Sequence, residues 1–108
     1  MSYDDVLAGR VRALLREVAG VTEKKMFGGL VFLTSGHLAV GVYGDGLIAR
    51  IGAPDVAAAT AEPGVRVFDM AGRPMRGIVI VSPDAIDDRA LGRWIARARH
   101  HVATLPPK

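Results

Sequence analysis

The sequence predicts a two-layer α+β domain, an antiparallel sheet of about five strands carrying helices, in the order αβββαββα. Three observations lead there: apolar residues at helical spacing near both ends of the chain, glycine-punctuated strand runs between them, and connections too short for helical crossovers. The chain has 108 residues, half of them apolar, which is enough for one core. No repeat, low-complexity tract or linker divides it, so residues 1–108 read as a single domain.

The first helix is signalled by Leu7, Val11, Leu14, Leu15 and Val18 and is expected from about Tyr3 to Ala19. Ser2 is available as its cap, Asp4 and Asp5 suit the positive end of its dipole, and Gly20 supplies a stop. Strands follow from Val21 to Gly52. Leu30 to Leu33 is an apolar run, Ser35-Gly36 a two-residue turn, and Leu38, Val40 and Val42 alternate with smaller residues, so one face of that strand is expected in the core. Gly44-Asp45-Gly46 turns the chain into Leu47 to Ile51. Pro54 suits a first helical turn, and Asp55 to Glu62 predicts a short helix stopped by Pro63-Gly64. Val65 to Met70 and Met75 to Val81 read as strands around Ala71-Gly72-Arg73-Pro74. Ser82-Pro83-Asp84 is expected to open the final helix, with Leu91, Trp94, Ile95, Ala98 and Val102 on one side. The core candidates are Leu7, Leu14, Val18, Phe32, Val40, Ile48, Phe68, Ile78, Ile80, Leu91, Trp94 and Ile95.

The absence of cysteine excludes a disulfide framework, thiolate metal sites and cysteine catalysis. Met1-Ser2-Tyr3-Asp4-Asp5 is acidic where a secretory signal would be basic, and no apolar run approaches the roughly 20 residues that cross a bilayer. A cytoplasmic protein without membrane contact is the expectation. His37, His100 and His101 lack the spacing of a helical metal pair, and no nucleophile elbow, phosphate-binding loop or dinucleotide fingerprint occurs. The pairs Asp4-Asp5 and Asp87-Asp88 fall near helix starts, where the dipole explains them. No catalytic, cofactor-binding or metal-binding residue is therefore assigned.

The 14 cationic residues against 11 acidic give a net charge of +3. Two basic features emerge. Arg89, Arg93 and Arg97 follow at intervals of four on the last helix, a row expected to face away from Leu91, Trp94 and Ile95 that could lie along phosphates or be a solvated face. Lys24-Lys25-Met26-Phe27-Gly28-Gly29 and Gly72-Arg73-Pro74-Met75-Arg76-Gly77 each join cations to an apolar side chain and glycine at a strand border.

Those two segments, with Val40-Gly41-Val42 ahead of Gly44-Asp45-Gly46-Leu47, resemble the TfoX (Sxy) N-terminal domain family over nearly the whole chain. Leu105-Pro106-Pro107-Lys108 resembles the end of short stand-alone members. The resemblance implies an α+β fold similar in architecture to type III secretion chaperones. It also implies kinship with regulators of natural competence, which promote transcription of DNA-uptake genes and carry a further helical domain. The family brings no catalytic residues. The expectation is a non-enzymatic regulatory module that contacts protein partners through Lys24, Lys25, Phe27, Arg73 and Arg76, with Met26, Gly28, Gly29, Gly72, Pro74, Met75 and Gly77 shaping the strand junctions. Direct nucleic-acid binding through Arg89, Arg93 and Arg97 is the alternative, and homodimerisation stays open.

Overall fold

Asp4 sets the start of the first helix. In extended conformation, its Oδ1 accepts hydrogen bonds from the N–H groups of Val6 and Leu7 at 2.8 and 3.2 Å, so α1 spans Asp5–Leu15. The computed structural model describes residues 3–26, 28–70 and 72–106, which leaves Ser2, expected as the cap, outside the described residues. Tyr3 is not helical but bridges to Gly44. The helix also stops before Ala19, because Arg16 and Val18 donate to Ala13 and Leu15 in turns that tighten the chain. Leu7, Ala8, Val11 and Leu15 form the buried stripe. Leu14 falls off that stripe and is 50% exposed, and Val18, beyond the helix, is half-buried, so neither is a fully buried core residue.

Six antiparallel strands follow: β1 (Val21–Met26), β2 (Gly29–Thr34), β3 (His37–Tyr43), β4 (Gly46–Arg50), β5 (Val65–Met70) and β6 (Arg73–Val81), in the spatial order β1-β2-β3-β4-β6-β5. The strand beyond the expected five is β1, an edge strand whose Thr22 to Lys25 are all exposed and therefore lack an apolar alternation. Helix α2 (Ala53–Thr60) precedes β5. Ser82-Pro83-Asp84 opens only a one-turn 3-10 helix, Pro83–Ala85, because Ile86 leaves helical geometry at φ −115°, ψ 67°. The long helix α3 (Asp88–Val102) starts anew on Asp87, whose carboxylate accepts from the N–H of Ala90 at 2.7 Å.

The strand register aligns residues in rows across all six strands, and residues in one row share a face. Two rows face the helices: Glu23–Phe32–Val40–Ala49–Val79–Val67 and Lys25–Leu30–Val42–Leu47–Val81–Val65. Their centres are buried with Val11, Leu91, Trp94, Ile95 and Ala98 beneath α1 and α3, and Ala59 joins them from α2. Between these rows lies Lys24–Val31–Gly41–Ile48–Ile80–Arg66, which points the other way.

That second face carries its own apolar cluster of Val31, Ile48, Phe68, Ile78 and Ile80, all from strands. Val31 and Ile48 are no more than 1% exposed although no helix contributes to the cluster, so the sheet buries them by curling over itself. The rings of Tyr43 on β3 and Phe68 on β5 confirm the curl. Their centroids are 5.2 Å apart, although β4 and β6 intervene and a flat sheet would separate β3 from β5 by roughly 14 Å. Strand β3, expected to bury one face, is consequently buried on both. Glycine makes the inner curve possible. A Cβ on Gly41 would stand 2.9 Å from the Leu30 carbonyl oxygen and 3.0 and 3.1 Å from Val31 Cγ1 and Ile48 Cδ1, while one on Gly29 would stand against the Val42 carbonyl oxygen.

Arg12 fastens α1 to β1 by a two-pronged ion pair to Glu23, with Nε–Oε2 2.7 Å and Nη2–Oε1 2.8 Å. The hydrogen bonds from Arg12, aided by its charge, hold the Glu23 carboxyl below its ordinary value. The same bonds raise the Arg12 guanidinium.

Gly29→Ala and Gly41→Ala should each cost about 1–3 kcal/mol by overpacking the inner curve, whereas Gly9→Ala, in open space within α1, should gain about 0.5–1 kcal/mol. Urea unfolding reads all three. Because the Glu23 carboxyl is lowered in the folded state, its pair with Arg12 stabilises above the ordinary carboxylate range and fades as pH falls through the lowered value. Glu23→Gln should therefore cost about 0.5–1 kcal/mol at neutral pH, and the gap to wild type should close below about pH 4.

Candidate functional site

Both singled-out segments are hairpin tips. Met26 opposite Gly29 and Met70 opposite Arg73 leave two-residue turns, whose second members Gly28 and Gly72 have φ of 79° and 81°. Met26 and Met75, one from each segment, pack against the same apolar cluster on the helix-free face. The two motifs, about fifty residues apart in the chain, thus pack on one cluster from opposite ends of the sheet, Met26 at the end of Tyr43 and Gly46 and Met75 beyond the end of Arg50 and Ile78. Phe27 lies outside the described residues.

The tip of the β5–β6 hairpin extends past the rest of the sheet, because β4 pairs only with Ile78 to Val81 of β6. Pro74 is tolerated in β6 because that stretch has a strand on one side alone. Gly77, at φ 81°, turns its carbonyl to accept from both Ile51 and Gly52, at 2.9 and 3.1 Å, and so anchors the base of the projecting arm. Gly28, Gly29, Gly72, Pro74 and Gly77 therefore have geometric roles at the strand junctions, and Met26 and Met75 have packing roles.

The cations of these segments are exposed, and Lys24, Lys25, Arg73 and Arg76 form no ion pair among the described residues. The register divides the lysines. Lys24, opposite Val31, belongs to the helix-free face, whereas Lys25, opposite Leu30, belongs to the helix-side row. Two further cations join Lys24 on its face: Arg66 at the other end of the same row and Arg50 opposite Ile78. Neither stands among the candidates read from the sequence, where the alternation Ile48-Ala49-Arg50 and Val65-Arg66-Val67 is the signal for them. Beside Arg66, a cavity of about 350 Å³ is lined by Tyr43, Asp45, Phe68 and Asp69 among others.

The α3 row is differently engaged. Arg93 Nη2 and Arg97 Nη1 donate to the two oxygens of Glu62, each at 3.1 Å, and their guanidinium carbons lie 5.7 and 4.4 Å from the centre of the Trp94 ring. The expected orientation away from Trp94 is thus reversed: the two side chains fold along its ring and fix α3 to the end of α2. Arg89 is exposed and forms no ion pair among the described residues.

His37 is buried, 8% exposed, and donates from Nε2 to the Pro106 carbonyl, tying the chain end to the β2–β3 turn. The His101 ring rests on Gly52, and both His100 and His101 border a groove of about 450 Å³ with Asp55, Arg97 and Thr104. Among the described residues no group of three or more His, Asp or Glu is placed to hold a metal ion, and no helix is long and apolar enough to cross a membrane.

The family model of the TfoX N-terminal domain matches residues 13–102, a span that takes in both hairpin tips and all of α3. No curated protein and no solved structure matches the chain.

Breaking the Glu62 clamp tests the structural share of the α3 arginines. Glu62→Ala should lower stability by about 0.5–1.5 kcal/mol in chemical denaturation, and Arg89→Ala should stay within about 0.5 kcal/mol of wild type.

Proposed function

This chain belongs to the TfoX N-terminal domain family, and from that premise we propose that it is a non-enzymatic cytoplasmic module of transcription regulation, kin to competence regulators, acting through contact with a protein partner. The supporting observation is that both motif segments are hairpin tips built on one apolar cluster. Each seats a methionine on the same apolar cluster and presents exposed cations, Lys24 and Lys25 from one and Arg73 and Arg76 from the other. Apolar groups beside unpaired charges suit recognition, because the apolar part supplies affinity and the charges supply orientation and rate. Holding the tips by glycine turns and methionine packing places the cations without spending them on internal ion pairs.

The test is affinity purification from the native cell with wild-type chain and with the variant carrying Lys24→Glu, Lys25→Glu, Arg73→Glu and Arg76→Glu. These residues are exposed, so the variant should melt cooperatively as wild type does, and the partners enriched by wild type should be lost. An unchanged partner set on a folded variant would refute the assignment.

A further inference from the structure

We propose that the cavity at the mouth of the curl binds a free α-amino acid with a basic side chain, of the class of lysine, ornithine and arginine. Its walls come from parts of the chain that a flat sheet would hold apart: Tyr43 and Asp45 at the β3–β4 turn, and Arg66, Phe68 and Asp69 on β5, with Ile80 of the intervening β6. The volume of about 350 Å³ stands at the lower end of the roughly 300–1,000 Å³ typical of small-molecule sites.

Asp45, Arg66 and Asp69 are exposed, and none of their side chains forms an ion pair or hydrogen bond among the described residues. Arg10, Arg12, Arg93 and Arg97 each take a carboxylate partner, whereas Arg66 shares a cavity with two carboxylates and pairs with neither. The cavity thus offers two negative charges and one positive. A ligand that meets all three carries two cations and one carboxylate, which is the charge pattern of a basic amino acid. Its carboxylate takes the Arg66 guanidinium on two prongs, and its α-ammonium and side-chain cation take Asp45 and Asp69. Tyr43, Phe68 and Ile80 supply apolar surface for the methylenes that join those groups. Other ligands match less of the lining. A phosphate or a nucleic-acid backbone would meet two carboxylates, and a metal cation would meet the guanidinium. Among the described residues no three His, Asp or Glu are grouped to hold such a cation.

Lysine is titrated into the full chain and followed by the Ile80 methyl and Tyr43 ring signals in NMR spectra. The shifts should saturate below about 10 mM, and ornithine and arginine should compete. Norleucine lacks the side-chain cation, cadaverine lacks the carboxylate, and Nα-acetyl-lysine lacks the α-ammonium and stands for the last residue of a protein. Each should bind at least about tenfold more weakly than lysine. Arg66→Gln and Asp69→Asn, both at exposed positions, should weaken lysine binding at least about tenfold and still melt cooperatively. Asp45→Asn, on the β3–β4 turn, serves if a β5 variant does not. No saturable shift, equal binding of lysine by a folded variant, or norleucine or cadaverine matching lysine overturns the proposal. Nα-acetyl-lysine matching lysine overturns it as well, and assigns the cavity to the C-terminal residue of a protein. Asp45, Arg66 and Asp69 are all absent from the charge-reversal variant, so the amino-acid site and the contact surface of the hairpin cations fail separately.

Discussion

The close approach of β2, β3 and β4 at Gly29 and Gly41 governs the molecule. Side chains there would stand against the neighbouring backbone and against Val31 and Ile48, so glycine lets the sheet close on the face that no helix covers. A flat sheet would leave that apolar row open to water, or would need a third layer to bury it. Curling instead buries five apolar residues within the sheet and leaves α1, α2 and α3 to cover the opposite face. Two cores result from one sheet, and both of the family's motif segments seat a methionine on the smaller of them.

That arrangement separates the two kinds of basic residue in the chain. On α3, Arg93 and Arg97 are drawn into Glu62 and the Trp94 ring, so their charges serve to hold helix to loop. On the hairpin tips and the inner row, Lys24, Arg50, Arg66, Arg73 and Arg76 have been given no such employment among the described residues. Packing holds the backbone beneath them, and the charge stays available. Of the acids, Asp4 and Asp87 cap helices, Glu23, Glu62 and Asp88 pair with arginines, and Asp45 and Asp69 line the cavity beside Arg66.

Much of the fold was legible in the sequence because periodicity and turn chemistry are local. The glycine turns, the proline-led α2 and the apolar stripe of α3 need no knowledge of distant residues. What escaped was decided by tertiary context. Strand β1 is polar at an edge, and so carries no apolar alternation. Leu14 looks like core until α1 settles on the stripe of Leu7, Val11 and Leu15. The start of α3 moved to Asp87 because Pro83–Ala85 forms a separate turn. The site was legible as motifs and illegible as a surface. The segments around Met26 and Met75 could be found by composition, but only the register and the curl show that they share a cluster and that Arg50 and Arg66 stand with Lys24.

The curl itself is the claim on which the rest depends, and methyl-resolved NMR tests it most directly. Nuclear Overhauser contacts should connect the Met26 and Met75 methyls to the cluster of Val31, Ile48, Ile78 and Ile80, and the Tyr43 ring to the Phe68 ring across β4 and β6. A spectrum in which the Tyr43 and Phe68 rings show no contact would mean an open, flat sheet and would contradict the account.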